Sequence, residues 1–265
     1  MKVESLGYRT DLFFPRFDGE IIDRTEYLVV KTPRNPTFYW GNFLLFPAPP
    51  AEGDLERWQD LFRKEIGVPP QVRHQSFGID GVDGQAGEWR PFQEAGFRLD
   101  LAVVLTSKSL FSPMKYCDEV EVRPLRQDWE WQAALDNHVL SRSEDQEEVA
   151  YRVFSSRQLD RYRAMASAGC GAWYGAFIND QLVADLGIYV CDGVARFQSV
   201  GTHPEYRRRG ICGTLVFESS KKAQTQFAIN EFVIVAEAGS HAAGIYERLG
   251  FEMREQQIAF TLSGE

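Results

Sequence analysis

Residues 202–215, THPEYRRRGICGTL, decide how this chain is read. Arg207, Arg208 and Arg209 run directly into Gly210, Ile211, Cys212 and Gly213. Upstream, 194–202 (VARFQSVGT) is a predicted strand that ends at His203 and Pro204; downstream, 211–228 contains no proline and is predicted to be a helix. A strand, a glycine-bearing turn and a helix in that order aim successive backbone N–H groups at one point, and the helix N-terminus adds partial positive charge. Such a turn suits a pyrophosphate. Glycine here keeps a Cβ from holding the phosphate off the backbone, and arginine brings a charge that needs no titration. Competing phosphate motifs are missing: the sequence has no G-x-x-x-x-G-K-[ST], and no G-x-G-x-x-G followed by an acidic residue at the right distance.

Working outward, 232–236 (FVIVA) reads as a short buried strand, 239–249 as a helix stopped by Gly250, and 251–262 as a final strand. Before the loop, 123–140 reads as a helix with Pro124 in its first turn and 149–166 as a second helix. Next comes a hairpin of 172–178 and 182–190, turning at Asn179 and Asp180. The second half is thus α/β with a mixed sheet.

The first half carries a fainter copy of this order. FQEAGF at 92–97 and YERLGF at 246–251 share an aromatic residue, Glu, Gly and Phe, offset by 154 positions (246 − 92), and a strand-like run follows each. The same offset matches the helical stretch 54–66 to the helix after the arginine loop, and strand 37–46 to strand 194–202. Where the second half has its basic loop, the first has PAPPAEGD. The expected boundary lies within 107–119, giving domains 1–113 and 114–265.

The 265 residues suit two domains of about 110 to 150 residues. A net charge of −9 and a pI near 5.1 argue against nucleic acid as a partner, because that binding rests on many Lys and Arg contacts. Cys117, Cys170, Cys191 and Cys212 lie far apart, without metal-ligand spacing, and read as reduced, packed thiols; no metal is expected. No window approaches the about 20 apolar residues of a spanning helix, and residues 1–14 lack a secretory pattern, so a cytoplasmic protein without a membrane partner is expected.

Arg207, Gly210 and Cys212 stand in the places of the [QR]-x-x-G-x-[GA] loop, and Ala242, Tyr246, Gly250 and Phe251 in those of A-x-x-x-Y-x-x-x-G-F. On these residues the chain resembles the Gcn5-related N-acetyltransferase (GNAT) superfamily, over about residues 120–265 and weakly in the first half. Cys212 departs from the small Gly or Ala, and Gly239 stands where an amide side chain is common, with Ser240 beside it as a substitute.

The resemblance implies two tandem GNAT-like α/β domains, each a mixed, mostly antiparallel sheet with a splayed centre flanked by helices, the first a degenerate copy. It implies acetyl-CoA as co-substrate, with the backbone of Val200, Gly201 and Thr202 along the pantetheine arm and Arg207, Arg208, Arg209, Gly210, Ile211, Cys212, Gly213 and Ser240 holding the coenzyme. An amine attacks the thioester directly, and Tyr246 is the general acid toward the leaving sulfur. Phe92, the counterpart of Tyr246, has no proton to donate.

Many relatives carry a base as Glu on the strand before the loop, where this chain has Arg196 and Gln198. Glu237, Asp185, His203 or a relayed water remain as candidates. On the acceptor side stand Trp129, Trp131, His138 and the acidic run 144–148. The expected acceptor is a primary amine of a small molecule or peptide, and the expected state a monomer or homodimer. The alternatives are a non-catalytic acyl-CoA-binding sensor and an inert interaction scaffold.

Overall fold

The computed structural model describes residues 1–144 and 146–263. The chain divides into two compact units: one comprises Met1–Val104, Val235–Ser240 and the chain from Arg254, the other Leu105–Ile234 and His241–Met253. The units are therefore not separated by a single cut near residue 113. Stretches 235–240 and 254 onward belong with the N-terminal part.

In the first unit, helices α1 (Leu6–Asp11) and α2 (Phe13–Asp18) precede strands β1 (Glu20–Asp23), β2 (Leu28–Lys31) and β3 (Phe43–Phe46). Helix α3 (Asp54–Glu65), strand β4 (Gln75–Ile79), helix α4 (Arg90–Glu94) and strand β5 (Arg98–Ser107) follow. β1, β2 and β3 pair antiparallel, and α3 carries the chain over to β4, parallel to β3. Trp58 and Phe62, one turn apart on α3, bury the same face; Trp58 stacks on Phe46 at 3.8 Å between centroids. The partner on the far side of β4 is β11 (Glu252–Leu262), antiparallel with Ile258 opposite Ile79. Phe260 of that strand stacks on Phe92 at 4.6 Å. A strand expected to close the second half thus lines the core of the first.

In the second unit, β6 (Glu121–Pro124) leads into helices α5 (Asp128–Leu140) and α6 (Glu148–Ser167). The helix predicted over 123–140 therefore starts later. Arg123 and Pro124 are in a strand paired with β7 (Gly171–Ile178), and Glu130 reaches back to the Gln127 N–H at 2.8 Å to close the first turn of α5. β7, β8 (Gln181–Cys191) and β9 (Val194–Thr202) form an antiparallel meander, turning through Asn179 and Asp180, both at positive φ. Helix α7 (Ile211–Gln226) crosses to β10 (Glu231–Glu237), which is parallel to β9, and α8 (His241–Arg248) follows. Each unit thus contains three antiparallel strands, a crossover helix and a fourth, parallel strand. The sheet is mixed and mostly antiparallel, with helices packed on it.

β9 and β10 pair only over Val194–Arg196 against Glu231–Val233, so residues 197–202 have no β10 partner. On its other edge β9 remains paired with β8, through a bulge where Gly187 faces Gln198 and Asp185 faces Gly201; Ser199 sits there at φ 48°. Phe197 packs against Phe232 and Phe251 at 5.7 and 5.8 Å, and strand alternation sends Arg196 and Gln198 to the opposite face. Among the described residues no helix is long and apolar enough to cross a membrane.

Candidate functional site

The arginine loop leaves β9 through a 3₁₀ turn (Pro204–Tyr206) and enters α7 through two left-handed residues, Arg208 at φ 63° and Gly210 at φ 85°. Gly210 is the N-cap of α7, no side chain caps the helix, and its first turn holds no acidic residue. The N–H groups of Ile211, Cys212 and Gly213 therefore lack both an in-helix acceptor and a cap. A helix start of this kind is able to accept an anion.

The arginines divide their work. Arg207 folds back to donate from Nε to the Thr202 carbonyl at 3.2 Å. Arg209 pairs with Glu119 and lies over the Tyr206 ring, 5.3 Å from its centroid. The exposed side chain of Arg208 has no partner among the described residues, while its carbonyl accepts from Lys115 Nζ.

Packing gives these glycines a reason that the local sequence does not show. A Cβ on Gly210 would lie 2.3 Å from the Lys115 carbonyl oxygen, and one on Gly213 3.2 Å from Pro113 Cβ. The Phe111 N–H donates to Leu249 O at 2.8 Å, and the Cys117 N–H to Thr214 Oγ1 at 2.9 Å. Residues 111–117, read from sequence as a linker, are thus laid against the loop and the first turn of α7. Nothing in their local pattern foretells this, because the contacts join residues about 95 to 140 positions apart.

Tyr246 of α8 is buried beside Phe251, 6.2 Å between ring centroids. Burial, with a smaller contribution from neighbouring Cys212, drives its hydroxyl pKa well above that of a free phenol, so it keeps its proton. Burial likewise pushes the Cys212 thiol up to about 11, which makes it a poor nucleophile. Val200, Gly201 and Thr202 occupy the part of β9 that β10 leaves unpaired. Ser240 immediately precedes α8, and the Gly239 before it takes φ 71°, a left-handed turn that suits glycine.

Of the base candidates, Glu237 is exposed and His203 uses Nδ1 to accept from the Glu205 N–H at 3.3 Å. Asp185 is fully buried and engaged by His138, Trp173 and Asn137. Trp129 is half exposed and Trp131 buried; within the acidic run, Asp145 lies outside the described residues. Among the described residues no group of three His, Cys, Asp or Glu side chains is placed to hold a metal ion.

Solved structures share this architecture at low sequence identity. A GCN5-related N-acetyltransferase from Kribbella flavida superposes with TM-score 0.67 at 15% identity, covering 98% of this chain and 97% of its own. A conserved protein of unknown function from Staphylococcus epidermidis gives 0.68 at 15%, covering 94% and 96%. A tandem GNAT protein from the clavulanic acid biosynthesis pathway gives 0.52 at 12%, covering 79% and 68%. A comparison with curated proteins finds no match. The sequence model of the Acetyltransferase (GNAT) family matches residues 127–251, the stretch that holds α5, the bulged β9, the uncapped start of α7 and Tyr246; over that stretch the chain is similar to the family.

Proposed function

We infer that the chain transfers an acyl group, acetyl in the simplest case, from a coenzyme A thioester to a primary amine of a small molecule or peptide. One observation carries this reading. An uncapped helix start free of acidic residues follows a strand whose last six residues have no partner on one edge. The N–H groups of Ile211, Cys212 and Gly213, with Arg208, would hold the pyrophosphate. The free edge at Val200, Gly201 and Thr202 offers main-chain partners to the pantetheine arm and the thioester. Amine attack then expels the thiol without an enzyme-bound intermediate, and Tyr246, protonated at any working pH, donates to the sulfur.

Calorimetry with acetyl-CoA, followed by thiol release over a panel of amines, amino acids and peptides, tests the reading. One bound equivalent and amine-dependent release support it. One bound equivalent without release from any amine would leave the non-catalytic sensor, and no binding would sink both.

A further inference from the structure

We propose that His138, held by the buried Asp185, is the general base that takes the proton from the attacking amine beside the free end of β9. The assignment rests on the acyl-transfer reading and supplies the group that Gln198 and Arg196 leave missing from the strand.

Asp185, on β8, has no solvent exposure, and one carboxylate oxygen accepts from two rings: His138 Nε2 at 2.9 Å and Trp173 Nε1 at 3.0 Å. Asn137 Nδ2 makes a longer contact to the other oxygen at 3.5 Å. Tyr162 stacks on Trp173 at 4.8 Å, which fixes the indole and so the carboxylate. A carboxylate facing Nε2 selects the tautomer that carries its hydrogen there and leaves the Nδ1 lone pair for a proton. Nδ1 has no partner among the described residues, and the side chain keeps 14% of its surface exposed.

Position is the second argument. Asp185 faces Gly201 across the β8–β9 ladder, on the bulge and within the stretch of β9 that β10 does not pair. Opposed residues share a sheet face, and a Cβ built on Gly201 would meet nothing within 4 Å. Open space therefore adjoins the pair where the thioester carbonyl is expected. Tyr246 packs with Phe251, on the side of Phe197, so base and acid belong to opposite faces of β9.

The step balances. The amine nitrogen forms a bond to the thioester carbon while one of its protons moves to His138 Nδ1; the C–S bond breaks and the sulfur takes a proton from Tyr246. His138 afterwards returns its proton to solvent, and the phenol is reprotonated from solvent. Asp185 is a positioning residue and keeps its charge throughout.

Burial disfavours the imidazolium, but the charge and hydrogen bond of Asp185 outweigh this and raise the His138 pKa. On α6, Arg152 and Arg163 are engaged by Asp136 and Asp128 of α5. Arg161, with Arg196 of β9, acts on the Tyr162 hydroxyl. Asp185 is thus the charged group that governs the ring. The rate must fall as pH drops through the raised pKa, because only neutral His138 accepts a proton.

The test uses the full chain, acetyl-CoA and the best amine of the panel. His138→Gln should lower kcat by about a hundredfold and leave acetyl-CoA affinity within twofold. Asp185→Asn should move the acid limb of the kcat profile to lower pH, and cut kcat by about tenfold or more through loss of the tautomer. Undiminished kcat in His138→Gln overturns the assignment alone; bound acetyl-CoA without turnover in the unaltered chain overturns the parent reading as well. If either variant fails to fold, the unaltered chain decides. The NMR titration of His138 must give the pKa of the acid limb, and a mismatch rejects the base.

Discussion

The turn into α3 and the turn into α7 have the same backbone and opposite electrostatics. Each helix is capped by a left-handed glycine, Gly53 at φ 84°, ψ −4° and Gly210 at φ 85°, ψ −3°. Behind Gly53 come Asp54 and Glu56, and Asp54 accepts from the Ala51 N–H at 2.8 Å; behind Gly210 the first turn has no carboxylate. In the first unit the helix dipole is answered from within, and a diphosphate would meet two negative charges. In the second it is left open. The helix-to-strand corners repeat the contrast. The Phe97 N–H donates to Phe92 O at 2.9 Å and the Phe251 N–H to Tyr246 O at 3.1 Å, with Gly96 at φ 90° and Gly250 at φ 93°. The corner is the same, but one ring carries a hydroxyl and the other does not. A fold can thus be kept while its chemistry is altered at two or three side chains, and we read the first unit as the copy without a coenzyme site.

Breaking the comparison at the glycines should give the largest effect. Gly210→Val puts a branched side chain at positive φ and onto the Lys115 carbonyl, so acetyl-CoA binding should be lost in calorimetry. Gly53→Val meets open space, costs about 1–2 kcal/mol of strain, and should leave binding at one equivalent. Loss of binding in both variants, or two equivalents in the unaltered chain, would end the distinction between the units.

His74 and His138 should separate next, in stability against pH. His74, in the first unit, stacks on Tyr39 at 4.3 Å, and burial, against a weaker opposing hydrogen bond to Asn42, lowers its pKa to about 4. An unfolded chain takes up this proton first, so stability is lost as pH falls from about 6.5 to about 4, by about 3 kcal/mol at about 1.4 kcal/mol per unit. His138 has a raised pKa, so its contribution is complete below about 6.5 and fades as pH rises through the folded value. Urea midpoints at pH 5 and pH 7 check this. His74→Phe should flatten the acid loss, and His138→Gln should steepen it; shifts in the same direction would contradict the burial argument.

Exchanging the aromatic residues at the two corners sharpens the contrast in mechanism. Tyr246→Phe removes a proton donor from a packed ring, so the melting temperature should hold while kcat falls about ten- to a hundredfold. Turnover that stays undiminished would make Tyr246 a packing residue. The reverse change, Phe92→Tyr, buries a hydroxyl among Trp58, Phe77, Phe97 and Phe260, costs about 1–3 kcal/mol, and should bring no second activity. Unchanged stability to denaturant would show that the cluster has room for a polar atom.

Local pattern alone was enough for the strand at 194–202, the helix from Ile211 and the corner at YERLGF. Each depends on interactions within one or two turns: alternation, helical periodicity, and a left-handed glycine at a cap. The same reasoning misplaced Arg123 and Pro124, because a four-residue strand paired to a segment 50 positions away leaves no periodic trace before a helix. It named His138 and Asp185 on separate grounds without joining them. Only the packing of α5 on β8 puts the ring on the carboxylate, and only the bulge in β9 sets that carboxylate opposite Gly201. Tertiary structure alone also placed β11 beside β4 and laid residues 111–117 against Gly210, since contacts between residues about 100 to 180 positions apart are chosen by the burial of whole faces and not by neighbouring residues.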